Sequence, residues 1–306
     1  MKVRYSYLSQ QFSNCDDLWK NLKEFVKTGD FTLGKELNKF EKKFSKLIGT
    51  KYAVGVNSGT DAIKLCLKLI GVKPGDEVIT AANTFVATVG AICELGATPV
   101  FVDCDDSFCM DVSLVEKKIT KKTRAIVPVH FTGYMTDMKR LKKISQKYKI
   151  PIVEDACQSI LASINSKKAG TWSDFGAFSL HPLKNINVWS DGGIIVTSNK
   201  KYYDHLKLLR NHGLVDRDNV KITGYNSRLD TLQAVVGNWL IPNAKKIANQ
   251  RIKNANFFDK GLKNIEGISI PPRLKGYKIV YHLYIVFAKD RDKLLKYCLK
   301  KGIEAK

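Results

Sequence analysis

From residue 52 to residue 197 the chain switches repeatedly between short apolar runs, several rich in β-branched residues, and stretches of helical periodicity. Apolar runs of strand length separated by amphipathic helices point to a mainly parallel sheet covered by helices. Seven runs, at 52–56, 77–80, 98–102, 124–129, 150–154, 176–179 and 194–197, predict an α/β fold with a seven-stranded sheet. Helical patterns fall between most of the strands, as at 61–70, 84–95 and 137–148, and another at 201–209 follows the last, most opening near a Thr, Asn or Asp that can cap the first turn.

After Asp230 the pattern changes to a long helical stretch, 231–262, broken at Pro242. The pair Pro271-Pro272 follows as a hinge, then an aromatic strand at 281–288 and a Lys-rich helix at 290–301. This organisation predicts a large α/β domain over 1–240 and a smaller α+β domain over 241–306. One strand and one helix are thin for a domain, and the expectation is that the small domain is truncated.

At 306 residues the chain is long enough for a real core, and 44% hydrophobic with 26% charged residues is a globular composition. No run approaches the length of a membrane span, and the first twenty residues lack the apolar segment of a signal peptide, so a cytoplasmic protein with no membrane partner is expected. Seven cysteines, an odd number with no C-x-x-C pair, point to reduced thiols and to no metal site. The excess of 51 Lys and Arg over 29 Asp and Glu raises nucleic acid or an anionic small molecule as partner. Lysines spread over nearly every amphipathic segment, as at Lys139-Arg140 and Lys200-Lys201, favour solvated helix faces over a nucleic-acid stripe.

Three segments carry chemistry. Asn57-Ser58-Gly59-Thr60-Asp61 joins a strand to a helix, where free backbone N–H groups and small hydroxyls make a phosphate cradle or simply a capped turn. Neither a P-loop nor a dinucleotide fingerprint is present. Asp155 would close a buried strand at its carboxyl end, where open α/β sheets bind ligands, and needs a partner there unless it only caps the turn. Lys184 falls on a loop between two strands, bounded by Pro182 and Gly192; burial there would favour the neutral amine that attacks a carbonyl. A phosphate anchor, a carboxylate for a pyridinium nitrogen and an imine-forming amine are together what pyridoxal phosphate asks of a protein.

These segments, with Gly75-Asp76-Glu77-Val78, the run 83–88, Glu154-Asp155-Ala156-x-Gln158 and the run 224–234, resemble the DegT-type sugar aminotransferases in order and spacing from about Gly34 onward. The resemblance implies fold type I and the cofactor pyridoxal 5'-phosphate, with pyridoxamine 5'-phosphate as intermediate. It implies that Lys184 forms the Schiff base and that Asp155 pairs with the pyridine nitrogen. Phe85 would stack on the ring, although its helical spacing with Val86 and Val89 reads as core; Gln158 would approach the phenolic oxygen. Gly59, Thr60 and Ser179 would hold the phosphate, and Asn226 would reach the phosphate of a second subunit, giving a homodimer with shared active sites. His181 would face the substrate or satisfy a loop carbonyl, and Arg228 with Asp230 would form a structural ion pair.

The implied reaction moves an amino group from L-glutamate, leaving 2-oxoglutarate, to a nucleotide-linked keto-sugar. The run Asn226-Ser227-Arg228-Leu229-Asp230 leans toward a 3-keto-6-deoxyhexose, for surface polysaccharide or natural-product glycosylation. Two alternatives stand beside it. Dehydratases of the same family carry His in place of the lysine, and Lys184 argues against that reading. A basic regulator or nucleic-acid binder on the same fold would bind DNA or RNA steeply with salt and carry no chromophore.

Overall fold

The computed structural model describes residues 2–306. Its sheet runs, from one edge, Thr98–Val102, Glu77–Ala81, Thr123–Val127, Val153–Asp155, Phe175–Ser179, Gly193–Thr197 and Tyr52–Val56. Two parallel bridges, Ile126 with Ile152 and Val129 with Asp155, join the halves. All of these strands run the same way except Gly193–Thr197, which is antiparallel to both neighbours. The seven expected strands are therefore present, each within about three residues of its expected limits.

The period-two alternation of strands divides the core in two. Val54, Val56, Ala125, Val127, Ala177 and Ile195 pack on one face with the helices Gly59–Leu69, Val86–Cys93 and Lys200–Leu209. Ala53, Ile126, Phe178, Ile194 and Val196 pack on the other with Lys35–Ile48, Met138–Tyr148 and Thr231–Leu240. Side chains start three of these helices as the sequence predicts: Ser58 Oγ accepts from Asp61 N (3.1 Å), Asp137 from Arg140 N (3.1 Å) and Asn199 from Lys201 N (2.9 Å). Behind the sheet's edge, buried Arg210 pairs with buried Glu41, and both hold Gly55: Arg210 Nη1 donates to its carbonyl (2.9 Å), and its N–H donates to Glu41 (2.7 Å).

The helical stretch after Asp230 divides as expected at Pro242, into Thr231–Leu240 and Ala244–Leu262 with a 3-10 turn between. The expected strand at 281–288 is corrected to the pair Phe287–Ala288, bound to Ile268–Ser269. Its first half is a docked loop. Val280 N–H donates to the Gly133 carbonyl (3.1 Å), Leu283 N–H to the Thr132 carbonyl (3.3 Å), and Tyr281 adopts a left-handed φ of 47° that no strand allows. A side chain on Gly133 would lie 2.5 Å from Tyr281 N, so glycine is what permits this approach. Two N-terminal helices, Asp16–Thr28 and Lys35–Ile48, were not assigned from sequence; each ends on a left-handed glycine, Gly29 and Gly49. Among the described residues no helix is long and apolar enough to cross a membrane.

Candidate active site

The parallel strands deliver their carboxyl ends, and Gly193–Thr197 its amino end, to one side of the sheet. There Asn57–Thr60, Ala82–Phe85, Val129–Thr132, Asp155–Gln158 and the loop after Ser179 converge.

Gly59 opens an 11-residue helix whose first N–H groups have no intrahelical acceptor, and Ser58 Oγ takes only that of Asp61. The cradle is tight. A Cβ on Gly59 would lie 2.8 Å from Ser179 Cβ and 3.0 Å from Cys157 Sγ, and one on Gly193 would lie 2.1 Å from the Ser58 carbonyl oxygen. The cradle depends on these glycines for space, and the positive end of the helix dipole suits an anion. Gly193→Ala should therefore displace the 58–60 turn; a loss of about tenfold or more in phosphate-cofactor affinity, read by fluorescence titration, is the expected result.

Asp155 is 5% exposed. No cation meets it. Its Oδ2 accepts from Thr88 Oγ1 (2.8 Å), which also contacts Thr84 Oγ1 (2.8 Å), and its Oδ1 accepts from Cys157 N (3.1 Å). The Cys157 thiol lies on the same floor, donating weakly to the Ala177 carbonyl (3.7 Å). Burial pushes this thiol well above its ordinary range, the negative charge of Asp155 adds to the rise, and the positive charge of Lys184 opposes it.

Lys184 is half-buried rather than buried, in a turn closed by its own N–H on the His181 carbonyl (2.8 Å). Asn185 anchors the loop beyond it to the Val280 carbonyl (3.2 Å), and Asn187 Nδ2 reaches Gln11 Oε1 (3.2 Å). Gln158 Oε1 accepts from Thr132 N (2.8 Å). Ser179 is buried, and its Oγ accepts from His181 N (3.3 Å). His181 is exposed and its Nδ1 accepts from Leu183 N (3.3 Å), a loop N–H rather than a carbonyl. Phe85 is 65% exposed at the start of the helix Val86–Cys93, so its spacing does not place it in the core.

Asn226 is exposed in a pocket of about 220 Å3 shared with Asn57 and Arg228, and its neighbour Ser227 ties this segment to the cradle by donating to Asp61 Oδ2 (2.6 Å). The expected ion pair of Arg228 with Asp230 is not formed. Arg228 instead donates to Asn226 Oδ1 (2.9 Å) and Asn211 Oδ1 (3.3 Å), while Asp230 is exposed at the start of the next helix.

Sequence reasoning did not single out Thr88, Cys157, Arg251 or His282. Arg251 Nη1 donates to the carbonyls of Tyr281 (3.0 Å) and His282 (3.2 Å), holding the docked loop against the site. Burial lowers His282 from an ordinary 6.5 to about 3, and the positive charges of Lys184, Arg251 and His181 add to the effect. A base whose folded pKa is depressed binds its proton more readily when unfolded. Its contribution is complete above about pH 6.5 and is lost as pH falls toward 3. Thermal melts should show His282→Asn losing less stability than the parent across that window.

Comparison with known proteins gives this site its context. The model of the DegT/DnrJ/EryC1/StrS aminotransferase family matches residues 14–306. A pleiotropic regulatory protein from Geobacillus stearothermophilus is 35% identical over 99% of this chain and 82% of its own. The dTDP-3-amino-3,4,6-trideoxy-alpha-D-glucose transaminase of Streptomyces venezuelae is 37% identical over 90% of this chain and 73% of its own. The crystal structure of S. venezuelae DesV in complex with a ketimine intermediate superposes with a TM-score of 0.97 at 34% identity, covering 99% of this chain and 82% of that one. The cradle that added Cβ atoms would fill, the buried carboxylate beneath it and the loop lysine fit pyridoxal phosphate, which this family uses. The chain belongs to the DegT/DnrJ/EryC1/StrS aminotransferase family and is a pyridoxal phosphate-dependent aminotransferase of fold type I.

Proposed function

We propose that this enzyme transfers the amino group of L-glutamate to a nucleotide-linked keto-sugar, with Lys184 and Asp155 as its catalytic residues. The observation that carries this reading is the buried Asp155 carboxylate, held by Thr88 Oγ1 (2.8 Å) and Cys157 N–H (3.1 Å), next to a Gly59 cradle in which an added Cβ would lie 3.0 Å from Cys157 Sγ. When bound, pyridoxal phosphate supplies an aldehyde that condenses with amines and a protonated ring that draws off the electrons of a carbanion.

The chain's own groups then have distinct work. The N–H groups of Gly59 and Thr60 and the Ser179 hydroxyl bind the phosphate, and Phe85 covers one ring face. Gln158, held through Oε1 by Thr132, presents its amide toward the phenolic oxygen. Asp155 keeps the proton on the pyridine nitrogen, its carboxylate oriented by Thr88 and by Cys157 N–H. Lys184, as a free amine, takes the proton from the donor's α-carbon and returns it on the other side of the exchange. Asn226, exposed, reaches the phosphate in a second copy of the chain, which makes the working unit a homodimer. The positive net charge of +22 favours approach of a nucleotide diphosphate. A 3-keto-6-deoxyhexose is the sugar favoured by the Asn226–Asp230 run.

The test is reduction of the purified protein with borohydride, peptide mapping of the label, and assay with glutamate against a panel of dTDP- and UDP-linked keto-sugars. Label on Lys184 and glutamate-dependent amination of one panel member are expected. A colourless protein, or label on another lysine, defeats the proposal.

A further inference from the structure

Next to Asp155 stands a second carboxylate that the reaction does not use. Glu154 is fully buried, and no Lys or Arg pairs with it among the described residues. Five donors surround it instead. Its Oε1 accepts from Trp172 N (2.7 Å), Ser173 N (2.9 Å) and Ser173 Oγ (3.0 Å), and its Oε2 from Gly170 N (2.8 Å) and His130 Nε2 (3.1 Å). His130 is also fully buried, and its Nδ1 accepts from Thr136 N (3.3 Å). That bond leaves the ring's one proton on Nε2, aimed at the carboxylate.

His130 and nearby Pro128 also hold Asp155 by the backbone. His130 N–H donates to the Asp155 carbonyl (2.9 Å), and Asp155 N–H donates to the Pro128 carbonyl (3.0 Å). His130 O is fixed in turn by Ser159 Oγ (2.6 Å). Successive side chains of a strand point to opposite faces, so Glu154 and Asp155 leave the sheet in opposite directions from one short, rigid segment. The Glu154 side chain ties that segment to the 170–173 loop, while His130 ties it to the neighbouring strand.

We propose that Glu154 and His130 are positioning residues, which fix the height and direction of the Asp155 carboxylate beneath the cofactor ring. The inference rests on the proposed role of Asp155. Charge-assisted bonds from five fixed donors leave little freedom to the strand end, and a carboxylate acting on a ring nitrogen needs that constancy.

An amide cannot replace Glu154. Both of its oxygens face N–H donors, so either orientation of Glu154→Gln sets an NH2 group against another N–H. The Kd of the protein for pyridoxal phosphate should rise about tenfold in Glu154→Gln, roughly one disturbed charge-assisted bond. The pH at which the bound cofactor's visible band titrates should also move. His130→Phe should do the same, and His130→Gln, which restores a donor near Nε2, should recover most of the effect. Leu22→Ala, a core truncation in the helix Asp16–Thr28, serves as the comparison that lowers Tm alone. Should Glu154→Gln fail to fold, Ser173→Ala removes one side-chain donor and should show a smaller rise in Kd with the same sense of spectral shift.

The proposal is overturned if these variants lose Tm while keeping the parent's Kd and band titration. Asp155→Asn separates the two ideas. If it too leaves the band unaltered, the role of Asp155 is wrong; if it changes the band while Glu154→Gln, His130→Phe and Ser173→Ala do not, only the positioning role fails.

Discussion

Lys184→Ala should lower turnover by about 10³-fold or more while the protein still folds and still holds pyridoxal phosphate. The loop carrying Lys184 is anchored by atoms other than the ammonium group: the Lys184 backbone N–H on His181, Asn185 on Val280, and Asn187 on Gln11. Losing the side chain leaves these bonds untouched. The cradle at Gly59 and Ser179 and the carboxylate of Asp155 lie on other elements, so binding should survive as a non-covalent, dialysable complex. What disappears is the amine that condenses with the cofactor and then carries the proton. Lys184→Arg should be as inactive, because a guanidinium keeps the charge but is neither nucleophile nor base near neutral pH. Absorbance before and after gel filtration, with single-turnover assays, checks both parts. Turnover within tenfold of the parent in either variant would remove Lys184 from the mechanism.

The sheet was legible because its strands are apolar on both faces and separated by turns and capped helices, signals that reside in adjacent residues. Capping by Ser58, Asp137 and Asn199 is local in the same sense. The errors lie where a segment's conformation is decided by something distant in sequence. The run at 281–288 is aromatic and apolar as a strand is, yet Thr132 and Arg251 claim the backbone groups of Tyr281, His282 and Leu283, Gly133 holds Val280 just before it, and Tyr281 takes a left-handed turn. Arg228 and Asp230 are two residues apart, but Asn226 and Asn211 offer acceptors that fit the guanidinium better. Phe85 illustrates the opposite failure: its periodicity is that of a buried helix face, and the helix begins one residue later, with both Phe85 and Val86 exposed at the mouth of the site.

The candidate site was legible as a set of residues and less so as a set of supports. Lys184, Asp155 and Gly59 are each ordinary alone, as a loop lysine, a strand-end acid and a helix-start glycine, and were legible because together they supply the imine, the ring-nitrogen partner and the phosphate anchor of one cofactor. Thr88, His130 and Glu154 gave no such signal, since a threonine in a helix and an acid beside another acid are ordinary in sequence. Only the fold shows that Thr88 comes 67 positions across the chain to the Asp155 carboxylate, and that His130 comes 24 to Glu154.

Asp155→Asn should cost about 10²–10³ in kcat with little loss of stability, and the reason lies in the bonds that the carboxylate already makes. Its Oδ1 accepts from Cys157 N–H and its Oδ2 from the Thr88 hydroxyl. An asparagine keeps the first bond with its carbonyl and can donate through its NH2 to Thr88 Oγ1, which accepts as readily as it donates. The hydroxyl proton of Thr88 can then turn to Thr84 Oγ1, 2.8 Å away. The fold therefore tolerates the amide locally. The reaction does not, because a neutral amide supplies no charge to keep the ring nitrogen protonated, and electrons released at the donor's α-carbon lose their sink. The same change of acid to amide one residue earlier has the opposite balance, since backbone N–H donors face both oxygens of Glu154. A melting curve close to the parent's with a collapsed kcat is the expected signature of Asp155→Asn. Parent-like kcat in a folded Asp155→Asn protein would show that this carboxylate does not act on the ring.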